Sequence, residues 1–171
     1  MPNVTFTIDS VSNFTATGTG MIGMAPALAA QGRLYVIYSG THTRPFYIGT
    51  SGNVQQRFQN RVAAMNDAGI VAATLQNSFV FTIRVTINNI NHQPNDLGIA
   101  NGIDVEKLLL RLYHVHYQAA FRNTAKWSTA FANTDGNGLH VRYLDPQNRV
   151  GGFAPVGANG FVQLLAGAGN Y

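Results

Sequence analysis

Apolar and polar positions alternate along Arg33–Tyr38. Leu34, Val36 and Tyr38 fall on one side and Tyr35 and Ile37 on the other, which predicts a β-strand. A short turn containing Gly40 and a second run, Pro45–Gly49, complete an antiparallel hairpin. Ser51-Gly52-Asn53 closes that strand, and the period then changes. Val54, Phe58, Val62 and Met65 recur at helical spacing behind Asn53 and Gln56, a pair resembling a capping box. Phe79–Ile87, built of β-branched and aromatic residues, predicts a further strand. Asn88–Gly102 reads as a polar loop containing Pro94. Asn101 or Asp104 then stands in position to cap a helix from Val105 to about Ala119. That helix is apolar over most of its circumference (Val105, Leu108, Leu109, Leu110, Leu112), which assigns it to the interior. Phe121–Phe131 continues the helical character after a break near Asn123.

Both ends of the chain add β character. Alternation around Val4–Ile8 and again near Phe14 predicts a hairpin or an edge strand within residues 1–17. LHVRYL and RVGGF, flanking Asp145-Pro146-Gln147-Asn148, predict a hairpin over Gly138–Phe153. The expected fold is α+β: a small three-stranded, mainly antiparallel sheet flanked by helices, with extra β-hairpin segments at the N- and C-termini. Gly18–Gly23 matches the G-x-G-x-x-G dinucleotide fingerprint, but the segment before it is polar. Pro26 interrupts the helix that the fingerprint requires, and no acid stands at the distance of a ribose contact. A Gly/Thr turn is the better reading.

The 171 residues suit one domain, and a hydrophobic share of 46% with 11% charged residues is globular rather than disordered. With no cysteine, disulfides and thiolate metal sites are excluded. The start, MPNVTFTIDS, lacks the basic and apolar regions of a secretory signal, and Met21–Ala30 is too short to span a bilayer and contains Pro26. The expectation is a cytoplasmic protein without a membrane partner. Charge is distributed unevenly. No acid occurs between Asp9 and Asp67, a region holding Arg33, Arg44, Arg57 and Arg61; elsewhere seven Lys/Arg balance seven Asp/Glu, so the formal net charge of +4 resides there. Such a field favours a polyanion such as a nucleic-acid backbone.

Few residues qualify for chemistry. Glu106, the only glutamate, opens the apolar helix with Leu110 and Tyr113 one and two turns on, which implies a partly buried carboxylate. A buried carboxylate calls for a cation, and a divalent metal is a common one. Tyr35 and Tyr47 fall on adjacent strands, and Arg57 near a helix start. Each alone reads as packing or surface. Together they form a set suited to phosphodiester hydrolysis, which needs a base for water, a cation for the developing charge and help for the leaving oxygen. His114 and His116 stand two apart on a helix and do not share a face. His92 and His140 have no visible partner, and Trp127, with Arg122 and Lys126 nearby, suits either base stacking or covering the core.

The stretch from Arg33 onward resembles the GIY-YIG nuclease domain. Tyr47-Ile48-Gly49 is the YIG element; Arg33-Leu34-Tyr35 takes the GIY position, twelve residues upstream from tyrosine to tyrosine; Ser51 follows YIG, and Arg57 stands where the family's helix arginine belongs. Glu106 opens a helix after a third strand, as the family's metal-binding glutamate does, and Asn123 matches the asparagine that often follows. The resemblance spans about 33–123 and makes 1–32 and 124–171 extensions of one domain. It implies a DNA endonuclease. Glu106 would hold Mg²⁺ (or Mn²⁺), Tyr35 would activate water, Tyr47 would orient water or phosphate, and Arg57 would stabilise the transition state. Arg33, Arg44, Arg57, Arg61 and Lys126 would contact the nucleic acid. The sequence departs from the family in two ways. Arg33-Leu34 replace Gly-Ile, and Arg61 stands where many members have histidine, a role for which His42 is the nearest substitute. Restriction, repair and toxin enzymes all fit, with a homodimer as one partner and, for a toxin, an immunity protein or chaperone as another. Two other classes stay open: a nucleic-acid-binding module without catalysis, and a structural or assembly protein.

Overall fold

A computed structural model of the chain describes residues 2–16, 22–24, 34–38, 45–52, 78–95, 97–117, 139–148 and 161–164. Its strands in chain order are β1 (Asn3–Ala16), β2 (Ile22–Met24), β3 (Leu34–Tyr38), β4 (Pro45–Thr50), β5 (Phe79–Ile87), β6 (Ile90–His92), β7 (Ile99–Ala100), β8 (Ile103–Asp104), β9 (Leu139–Leu144) and β10 (Val162–Leu164). One helix, α1 (Val105–Tyr117), lies among the described residues, directly after β8.

The strands β10-β9-β1-β5-β3-β4 form one mixed sheet in that spatial order. All of its neighbours run antiparallel except β1 and β9, which pair in parallel from Asn3↔His140 to Thr7↔Leu144. The two long strands each carry a second, short partner: β2 on the far end of β1, and β6 on the far end of β5. This corrects the expected fold. The hairpin β3–β4 and the strand β5 are present, but they are one end of a six-strand mixed sheet, not a small three-stranded one. The reason lies in β1. β1 runs for 14 residues and buries Val4, Phe6 and Ile8, so the strand inserts beside β5 and takes β9 on its other side. The segment expected over residues 1–17 as a hairpin or an edge strand is therefore an interior strand. Likewise Leu139–Leu144 pairs with β1 and with β10, and the RVGGF partner expected for it lies outside the described residues. The loop expected over Asn88–Gly102 contains β6 and β7.

Two tight turns explain that last difference. Asn88 and Asn89 take φ of 51° and 66° between the paired Ile87 and Ile90, and Asn101 and Gly102 take 47° and 76° between Ala100 and Ile103. Positive φ at both central residues is the I′ hairpin turn, which Asn and Gly tolerate. The main core cluster lies on one face of the sheet, while Tyr35, Ile37 and Val80 are buried on the other. Val4, Phe6, Leu34, Val36, Tyr38, Ile48, Phe81, Ile83 and Val85 pack with Val105, Leu108, Leu109, Leu112 and Tyr113 of α1. Asp104 caps that helix: its Oδ1 accepts the Lys107 backbone N–H at 3.0 Å.

Within this core three phenols join in series. Tyr38 and Tyr113 share a hydrogen bond of 2.5 Å, and the Tyr113 hydroxyl donates to that of Tyr143 at 2.8 Å. The rings meet edge to face, at centroid distances of 6.2 and 5.7 Å. Burial, with the neighbouring Tyr143 and Tyr38 hydroxyls, holds the Tyr113 phenol well above its ordinary pKa of 10.0.

Candidate active site

Tyr35 and Gly49 stand opposite each other on β3 and β4, and Tyr47 is two residues before Gly49 on the same face. The phenol of Tyr35 lies directly over Gly49. A Cβ on that glycine would sit 2.5 Å from Tyr35 Oη and 3.0 Å from Tyr47 Cε1. The two tyrosine rings stack at 6.2 Å with 26° between planes. The glycine of the YIG element is thus the floor on which the tyrosine pair rests. The pair is unequal: Tyr35 is 0% exposed, whereas Tyr47 is half-buried.

Glu106 reaches the same strand end from the other face. Thr50 follows Gly49, so its side chain points toward α1, where its hydroxyl donates to Glu106 Oε2 at 2.6 Å. Gly98, at φ of +79°, leaves space beside the glutamate; a Cβ there would lie 3.0 Å from Glu106 Cβ. The carboxylate is half-buried in the first helical turn, as its neighbours in sequence imply. The structure therefore brings Tyr35 and Tyr47 together and sets Glu106 back to back with them across the backbone at Gly49–Thr50.

Whether Glu106 suits a hard cation is tested by its surroundings. A single carboxylate beside a hydroxyl is an oxygen donor set of the kind that holds Mg²⁺ when water and substrate phosphate supply the rest. No group of three or more His, Cys, Asp or Glu able to cage a metal occurs among the described residues. Among the described residues, Glu106 and Thr50 offer oxygen donors without a closed protein cage.

The remaining expected site residues, Arg33, His42, Arg44, Arg57, Arg61, Asn123 and Lys126, lie outside the described residues, as does the helix expected after Asn53. Thr50 and Gly98 escaped the sequence reading. Continued alternation past Gly49 is enough to aim Thr50 at α1, but nothing in the sequence ties Gly98 to Glu106.

On the tyrosine face the sheet is hydroxyl-lined. Thr82 pairs with Tyr35 across β5 and β3, and its hydroxyl bonds that of Ser10 on β1. Between Ile8 and Ser10 a β-bulge adds Asp9 as an extra residue, whose carboxylate lies 3.9 Å from Arg84. No helix among the described residues is long and apolar enough to cross a membrane. No family model, curated protein or solved structure matches the chain.

Proposed function

We propose that the chain is a metal-dependent endonuclease of the GIY-YIG kind, hydrolysing phosphodiester bonds in DNA at the end of β4. The observation that carries this reading is that one strand end holds the stacked Tyr35–Tyr47 pair, seated on Gly49 on one face, and the sole glutamate, held by Thr50 on the other. A divalent cation bound at Glu106 would supply charge for the leaving oxygen. Tyr47, the more accessible phenol, is placed to contact water or phosphate, and Tyr35 fixes its ring from behind. This assignment follows from burial and departs at Tyr35 from the role the family resemblance implies, activation of water. Arg57 is assigned the transition-state charge through the motif alone.

The test is nicking of supercoiled plasmid with Mg²⁺ or Mn²⁺. Glu106→Ala and Tyr47→Phe should each lower the rate about 100-fold or more while thermal melting shows a folded protein. Full activity in the Glu106→Ala protein overturns the proposal. A second reading, a nucleic-acid-binding module without catalysis, is favoured by the complete burial of Tyr35 and by the backbone between the tyrosines and Glu106. Binding without cleavage under either metal would decide for it.

A further inference from the structure

The hydroxyl-lined face does not end at the tyrosines. The register carries it across the sheet to β9 and β10, where one row aligns Thr86, Thr5 and Arg142, and the next aligns Asn3, His140 and Gln163. Phe161, just before β10, is 42% exposed. The Arg142 guanidinium lies over its ring at 4.6 Å from the centroid, and the His140 ring is 6.3 Å away.

Arg142 is poorly satisfied for an arginine in the middle of a sheet. It has no carboxylate partner among the described residues, since Asp9 faces Arg84. Among the described residues its one hydrogen bond, from Nη2 to the Thr5 hydroxyl, is long at 3.4 Å, and its buried Nε has no partner. A structural arginine would ordinarily be paired. Its spare donors, an exposed aromatic ring and a nearby imidazole together match one ligand chemistry: a base that stacks and a phosphate that takes the guanidinium.

We propose that this end of the face holds a single-stranded segment of nucleic acid, with a base stacked on the Phe161–Arg142 pair and the adjoining phosphate on Arg142 and His140. Duplex DNA fits less well, because its bases offer no free face for stacking. The inference extends the nuclease reading by naming where a strand lies away from the cut, but it stands on separate residues.

The test is fluorescence anisotropy in EDTA with a labelled oligothymidylate of about 12 nucleotides, against a duplex of equal length. The intact protein should prefer the single strand. Phe161→Leu, which keeps apolar bulk but removes the ring, and Arg142→Ala should each weaken binding about tenfold without shifting the thermal midpoint by more than a few degrees. Arg142→Ala should also flatten the salt dependence by about one phosphate contact. Unchanged binding in Phe161→Leu, or equal competition by duplex and by inorganic polyphosphate, overturns the proposal. Plasmid nicking by the intact protein with unchanged binding in both variants would refute this surface and leave the nuclease reading standing. Loss of binding in the variants with no nicking by the intact protein would do the reverse.

Discussion

At the scale of single residues, Gly49 is the most constrained position near the site. A methyl group there would meet the Tyr35 hydroxyl at 2.5 Å, and that phenol has Tyr47 stacked against it. Gly49→Ala should therefore cost about 1–3 kcal/mol by denaturant titration, the usual range for overpacking. Tyr113 makes a different prediction. Its phenol is held neutral in the fold well above 10.0, so the unfolded chain loses that proton first as pH rises. The stability it contributes is complete below the unfolded value and is lost as pH climbs beyond it. Thermal midpoints measured from pH 8 to about 11 should fall, and Tyr113→Phe should make the fall shallower. The sequence singled out Tyr35, Tyr47 and Glu106 through a spaced motif, and their nearness at the end of β4 is seen in the structure. The Tyr38–Tyr113–Tyr143 chain was not legible in the sequence, since it joins two strands and a helix whose closeness no local pattern encodes.

At the scale of elements, periodicity located β3, β4, β5 and α1, each a run in which one spacing dominates. It failed at β6, β7 and β8, which are two or three residues long and have no period to read. Their signal was in the turns: Asn88-Asn89 and Asn101-Gly102 are the residue pairs that I′ hairpins select. Asn101 also suits a helix cap, which masks the hairpin, and Asp104 performs the capping. Two glycines separate backbone strain from crowding. Gly102, at φ of 76°, has nothing within 4 Å of an added Cβ, so Gly102→Ala should cost about 1 kcal/mol from φ alone. Gly98→Ala adds the 3.0 Å approach to Glu106, and should cost more and lower nicking as well as stability. Equal midpoints for the two variants would show that the space beside Glu106 is immaterial.

At the scale of the molecule, β3, β4, β5 and α1 were found locally, but their assembly was not. The motif draws attention to 33–123, and nothing local reveals that residues before it supply the strand beside β5. A pairing partner is chosen by which apolar face needs covering, and that depends on the entire chain. A fragment of residues 33–123 should accordingly remain unfolded by circular dichroism and show no cooperative melt, because Val4, Phe6, Val141 and Tyr143 leave the shared core with β1 and β9. The parallel pairing of β1 and β9 also orders events in time. Thr5 and Arg142 are 137 residues apart and Ser10 and Thr82 are 72 apart, so β1 leaves the ribosome well before either of its partners, β5 and β9. It must wait with its hydrogen-bonding edges open until both partners have been synthesised. Translation speed and chaperone supply, more than the stability of the finished sheet, then set how much of the newly made chain escapes aggregation.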